Sequence, residues 1–234
     1  MRARQPQVVR LPQVPWGRGI DSCGLLAPLV NSIRSPRDLI FMLADGQNCY
    51  DHTANAAQQR ADFLGFGRWQ HLPDHREPGR LNVAVHVRRG DVAAMKAQDQ
   101  GNWRERFMAA DWFGRVMEMV VDQHRDQQPL FHIYSQGEPG EFADLVRRFD
   151  VRLHLDAGDQ ESLLNMSRAD ILVMSPSGFS YLAAILGTGR KIARAPWWHH
   201  LPDGGDWTLL PADQGGRDRD SGRDREARPT STSR

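Results

Sequence analysis

The hydrophobic pattern changes character near residue 80. Before it, apolar positions are scattered among prolines, glycines and charges; after it, short apolar runs alternate with amphipathic stretches. Leu81 to Val87 holds five apolar residues in seven and predicts a strand buried on both faces, the habit of a parallel sheet. A polar loop is expected from Val92 to Trp103. A helix follows through roughly Arg106 to Gln123, with an apolar face at Phe107, Trp112, Phe113, Val116, Met119 and Val120. Runs at 130–135, 151–156, 170–174 and 191–195 predict four more strands. Between them, helices are expected from Pro139 and Glu141, which suit a first turn, to Phe149, over Gln160 to Ser167, and near 179–187, where Gly187 and Gly189 stop it. Strand and helix alternate five strands deep. That order predicts an α/β domain, a Rossmann-like parallel sheet with helices on both faces.

The front of the chain is less regular. Residues 1–19, with Pro6, Pro12, Pro15, Gly17 and Gly19, are expected to be irregular. Asp21-Ser22 suits the cap of a short helix through Ile33, and Asp38 to Leu43 is an apolar run of either type. Asn55 to Leu64 reads as a helix closed by Gly65 and Gly67, and Arg68 to Arg80, rich in turn-formers and charge, as a linker. The expected division is a small N-terminal lobe over 1–79, a Rossmann-like domain over 80–212 and a tail over 213–234. The tail has no large apolar residue and alternates its charges, so it is expected to be disordered.

Composition narrows the partners. A formal net charge of +1 gives no field that favours nucleic acid or an anionic membrane. Cys23 and Cys49 lack CxxC spacing, against a disulfide framework or a zinc site. No segment approaches the ~18–20 apolar residues of a membrane span, and the first residues contain no signal-type apolar run. The expectation is a cytoplasmic protein without a membrane span.

The chemistry gathers at two places. Arg88-Arg89-Gly90-Asp91 follows the first main strand directly, which puts two permanent cations at its carboxyl end, where open α/β sheets bind ligands. The guanidinium fork suits phosphate or carboxylate. One arginine is expected to meet the ligand and the other to pair with Asp91. The second place is Ser175 to Leu186, where Ser177, Gly178, Phe179 and Ser180 open a helix after the fourth strand. Amides at such an end attract anions, and Ser177 also suits a plain helix cap. Together the corners look like two sides of a diphosphate pocket. His86 shares a strand face with Arg88 and reads equally as core residue or ligand contact. Glu161 reads as a first-turn carboxylate or as an acceptor for a base or ribose. Asp218-Arg219-Asp220 matches a DxD metal motif by letter only, within the tail.

His86-Val87-Arg88-Arg89-Gly90-Asp91 resembles the HxRRxD peptide of the fucosyltransferases that make α1,2 and α1,6 linkages and of the protein O-fucosyltransferases. Glu161 to Leu186 is similar to their second signature, a helix, an Ala-Asp, an apolar strand, a serine-rich turn and a new helix. Order and spacing agree from Leu81 to Gly189. The resemblance implies a GT-B glycosyltransferase whose Rossmann-like half binds GDP-fucose as donor substrate, with inverting, metal-independent transfer to a glycan or other hydroxyl acceptor. It implies that Arg88 contacts the diphosphate, that His86 and Arg89 shape the nucleotide-sugar site and that Ser177 to Ser180 grip phosphate. Gly178 stands where the family has a second serine. With 79 residues before the motif strand, the acceptor side is expected to be minimal, absent or supplied by another chain in an oligomer. Alternatives are a non-catalytic nucleotide-sugar-binding remnant and a transferase for another nucleotide-sugar.

Overall fold

Val83, Val85 and Val87 point to one side of their strand, and Ala84 and His86 to the other; all are buried, so this strand needs cover on both faces. The computed structural model describes residues 7–10, 32–33, 39–42, 56–65, 67–101, 103–197 and 206–211. Near the front, β1 (Gln7–Arg10) pairs in parallel with β2 (Leu39–Met42), and α1 (Ala56–Gly65) follows. The main part contains β3 (Asn82–Val87), α2 (Asp91–Ala97), α3 (Trp103–Arg106), α4 (Ala110–Gln123) and β4 (Leu130–Ser135). Then come α5 (Ala143–Arg148), β5 (Val151–Leu155), α6 (Asp159–Arg168), β6 (Ile171–Val173), α7 (Gly178–Leu186), β7 (Arg190–Arg194) and β8 (Trp207–Leu210).

These strands form a six-stranded sheet in the order β5-β4-β3-β6-β7-β8, every pair parallel. Counted from β3, this is the 3-2-1-4-5-6 order of doubly wound nucleotide-binding folds. The period-2 alternation of the strands divides the interior into two cores. One packs Val83, Val85, Val87, Phe131, Ile133, Val173 and Ile192 under Phe113, Val116, Met117 and Val120 of α4. The other packs Ala84, Tyr134, Leu172 and Ala193 under Met166 of α6 and Tyr181, Ala184 and Ile185 of α7. Among the described residues, no helix is long and apolar enough to cross a membrane.

Several expectations are corrected. The loop after Asp91 carries α2 and α3, because Val92 is buried and anchors a turn that polar neighbours conceal. The helix expected from Arg106 starts at Ala110; Phe107 precedes it and lies beneath Arg89 and Lys96. Pro139–Phe142 forms a 3-10 turn, closed by the Glu138–Glu141 capping box, before α5. Within residues 1–19, β1 is a strand, and the run near Asp38 is strand β2. A sixth strand, β8, extends the sheet beside β7. The tail and most of the helix expected from Asp21 lie outside the described residues.

The stretch expected to be a linker is docked on the sheet. Asn165 Nδ2 donates to the Pro73 carbonyl (3.0 Å) and its Oδ1 accepts from the His75 amide (2.8 Å). Asn82 does the same for Glu77, accepting from its amide (2.8 Å) and donating to its carbonyl (3.1 Å). Helix α1 also touches the main part: Arg60 donates to the carbonyls of Ile185, Leu186 and Gly187, a cationic cap on the carboxyl end of α7.

Candidate functional site

β3 and β6 are neighbours in the sheet but lie far apart in the chain, with β4 on the other side of β3. The strand order reverses between them, and open α/β sheets bind ligands outside the carboxyl ends at such a point. Both sequence-expected corners meet here. Arg88 leaves β3 on one side, and the Ser175–Ser180 turn leaves β6 on the other, bonded directly to it: the Arg88 amide donates to Ser175 Oγ (2.9 Å) and Ser175 Oγ–H donates to the His86 carbonyl (2.6 Å). From the opposite neighbour, Ser135 Oγ–H donates to the Val87 carbonyl (2.7 Å).

Arg88 is partly exposed, and its Nη2 and Nε reach Asp91 Oδ2 and Oδ1 at 2.7 and 3.3 Å. This hydrogen-bonded guanidinium holds the Asp91 carboxyl below the usual carboxylate range, so Asp91 is a weak base. Asp99, the other acid near this loop, pairs with Arg104 at 3.0 Å. His86 is only 8% exposed. Burial, with the nearby Arg88 charge, lowers its pKa to about 4, so it is neutral at pH 7. Its ring meets the edge of Phe179 at 5.7 Å, and Nδ1 has no hydrogen-bond partner among the described residues. A buried ring nitrogen without a partner is costly unless something supplies one.

Arg89 behaves otherwise. Asp91 pairs with Arg88, the arginine expected to meet the diphosphate, and not with Arg89. Arg89 is 6% exposed, with Nη1 donating to the carbonyls of Arg88 (3.1 Å) and Met108 (3.2 Å). Its Nε lies 3.4 Å from Glu141 Oε2, an ion pair without the alignment of a hydrogen bond. The Phe107 ring sits 4.5 Å from the guanidinium carbon. Arg89 thus ties β3 to the start of α4 and to the turn after β4. Replacing it with alanine is expected to lower unfolding stability by about 2–3 kcal/mol, because two carbonyls lose their donor and a carboxylate loses its ion-pair partner. Chemical denaturation checks this; unchanged stability with lost anion binding would move Arg89 to the ligand.

The serine turn is internally bonded. Ser177 caps α7, its Oγ accepting from the Phe179 amide (3.2 Å). Ser180 Oγ–H donates to the Ser175 carbonyl (2.9 Å) and approaches that of Ser177 (3.3 Å). The Ser180 O–H is used within the turn, whereas Ser177 Oγ acts there only as an acceptor and keeps its O–H for donation. For an anion this end offers the Ser177 O–H and the amides of Gly178 and Ser180, which helix geometry leaves without intrahelical acceptors, together with the dipole.

Gly90 turns the chain out of β3 at φ 49°, ψ −116°, a conformation open essentially to glycine alone. An added Cβ would also overlap Gln136 Oε1, although that exposed side chain can move. Gly90→Ala is therefore expected to cost about 1–3 kcal/mol, mainly as backbone strain, measured as a lower denaturation midpoint.

Glu161 pairs with the connector, beside β4. Its Oε1 pairs with His75 Nε2 at 3.0 Å, while His75 Nδ1 meets the Tyr134 hydroxyl at 3.0 Å. His75 stacks on His154 with ring centres 3.9 Å apart, and Tyr134 stacks on His154 at 4.7 Å. Below them, His132 Nδ1 lies 3.1 Å from His154 Nε2 and His132 Nε2 lies 3.4 Å from Asn82 Oδ1. Asn82 fixes the proton positions. Because its Oδ1 already accepts from the Glu77 amide, His132 Nε2 is the N–H donor, Nδ1 the acceptor, and His154 Nε2 the next donor. Burial lowers the pKa of both His132 and His154 to about 4 and raises that of Tyr134. Sequence reading missed this cluster, since its members come from the connector, β4, β5 and α6, and only the fold brings them together. Glu161 belongs to it as the partner of His75.

Two grooves lie elsewhere. One of about 530 Å³ is bounded by Arg80, Phe131, Arg148 and Asp150, at the amino ends of β4 and β5; another of about 420 Å³ runs between α4 and Leu210. The charges of the first are paired with one another, and neither groove touches the switch point.

No family model matches the chain, and no curated protein matches it. Among solved structures, a crystal structure of POFUT1 in complex with GDP aligns with a TM-score of 0.32 at 15% identity, over 60% of this chain and 46% of that chain. The match thus spans less than half of that protein's length, and a likeness at this level assigns no function.

Proposed function

We propose that the corner between β3 and β6 binds the diphosphate of a nucleotide-sugar and that the chain is a glycosyltransferase using GDP-fucose as donor. The observation that carries the reading is the convergence of Arg88, the amino end of α7 and neutral His86, whose Nδ1 has no partner among the described residues, at the point where strand order reverses. The resemblance of His86 to Asp91 and of the serine turn to fucosyltransferase signatures supplies the identity of donor and sugar.

In transfer, the bond between the sugar's anomeric carbon and the β-phosphate oxygen breaks, and its electron pair leaves with GDP. The acceptor oxygen bonds to the same carbon and gives up its proton. Negative charge grows on the diphosphate as the bond lengthens. A guanidinium and helix-end amides already in place stabilise that charge without reorganising. Asp91 serves here by holding the Arg88 fork in orientation. The acceptor's proton needs a base other than Asp91, whose pKa lies below its usual range, or an acceptor that releases it late.

Incubation with GDP-fucose and a panel of hydroxyl acceptors, followed by GDP release, tests transfer. Competition among GDP, UDP and dTDP tests the donor. Release above the acceptor-free rate, with GDP the strongest competitor, is expected. Binding of GDP without release under any acceptor would leave a nucleotide-sugar-binding remnant. Preference for UDP or dTDP would mean a transferase of another sugar.

A further inference from the structure

The end of β3 is held by more than ladder bonds. Pairing between β3 and β6 runs from Val83↔Ile171 to Val85↔Val173 and stops there, short of Arg88. Beyond that point β3 runs into the turn at Gly90 and β6 into α7. The gap is closed by Ser175, only 1% exposed, whose single hydroxyl accepts from the Arg88 amide and donates to the His86 carbonyl. The carbonyl of Ser175 in turn accepts from Ser180 Oγ in the first turn of α7. A continuous chain of hydrogen bonds therefore runs from the Arg88 backbone to the helix end that faces it.

We infer that Ser175 is a positioning residue for this anion site, fixing the spacing between Arg88 and the amino end of α7. The inference rests on the nucleotide-binding reading above. The geometry asks for one atom on a short stem that both donates and accepts, which serine and threonine provide and alanine does not. Without it, the Arg88 amide and the His86 carbonyl lose buried partners. The two lips of the site are then free to separate, and a diphosphate that bridges both loses most, because misplaced donors cease to act together.

The test is calorimetric titration of wild type, Ser175→Ala and Ser175→Thr with GDP and with GMP. GMP lacks the β-phosphate, so the ratio of the two affinities reads the diphosphate contact separately from general loosening. Ser175→Ala is expected to weaken GDP by about tenfold or more and to lower the GDP-to-GMP ratio by a similar factor, while Ser175→Thr restores both. If the alanine variant does not fold, Ser175→Cys, similar in size with a weak donor and acceptor, is expected to show the same loss. GDP binding unchanged in these variants, or an equal loss for GDP and GMP, overturns the inference alone. No GDP binding by the wild type overturns the nucleotide reading and this inference with it.

Discussion

Replacing Arg88 with alanine is expected to weaken GDP binding by about ten- to a hundredfold while leaving thermal stability nearly unchanged. The side chain's ion pair is with Asp91, three residues along, which is itself more than half exposed. Exposed pairs of this kind contribute roughly 0.2–1 kcal/mol, so their loss barely moves the unfolding midpoint. A charge-assisted contact from a guanidinium to phosphate is stronger, about 1.5–3 kcal/mol, which gives the expected factor. Lysine should recover only part of it, having a point charge in place of the fork. Set beside Arg89→Ala, which should lose stability first, the pair separates ligand contact from scaffold. Equal, mild effects of both substitutions would remove the assignment of roles.

Acidification to pH 5 is expected to destabilise the fold strongly. His86, His132 and His154 each have a folded-state pKa of about 4, lowered chiefly by burial, against about 6.5 in the unfolded chain. Between these values the unfolded state binds more protons than the folded state. The stability is fully present above about pH 6.5 and is lost as pH falls toward 4. At pH 5 the loss reaches about 2 kcal/mol for His86, a similar amount for His132, which is 3% exposed, and less for His154, where solvent screens part of the charge. The bond between His132 and His154 sharpens the effect, because a proton on His132 Nδ1 removes its acceptor. Denaturation midpoints between pH 7 and 4.5 should fall steadily. Imidazole proton resonances should show three rings still neutral at pH 5 in the folded protein. A flat stability profile across this range would contradict the burial of these rings.

The parallel sheet was legible because five of its six strands are short apolar or alternating runs set between helical periods, β3, β4 and β6 nearly continuous in apolar residues and β5 alternating Val, Leu and Leu with Arg and His. β8 does not stand out, because Trp207 to Leu210 is a short run isolated from the regular alternation. The positions of Arg88 and the serine turn at neighbouring strand ends were legible too, since Arg88 and Ser175 each follow an apolar run directly, and strand ends can be counted. What could not be read was who bonds to whom. Arg88 and Arg89 are adjacent in sequence, yet one faces Asp91 at the surface and the other is buried against Met108 and Glu141. That division depends on the turn at Gly90 and on a carboxylate fifty residues away. Ser175 and the His75–Glu161 contact were hidden for the same reason, as their partners are 87 and 89 residues distant for Ser175 and on a different element for Glu161.

The most direct test of the account is calorimetric titration of the protein with GDP, alongside UDP and the Arg88→Ala variant. The account predicts saturable binding of GDP at one site, weaker binding of UDP and loss of the GDP signal in the variant. No binding of either nucleotide, or GDP binding that Arg88→Ala leaves intact, would contradict it.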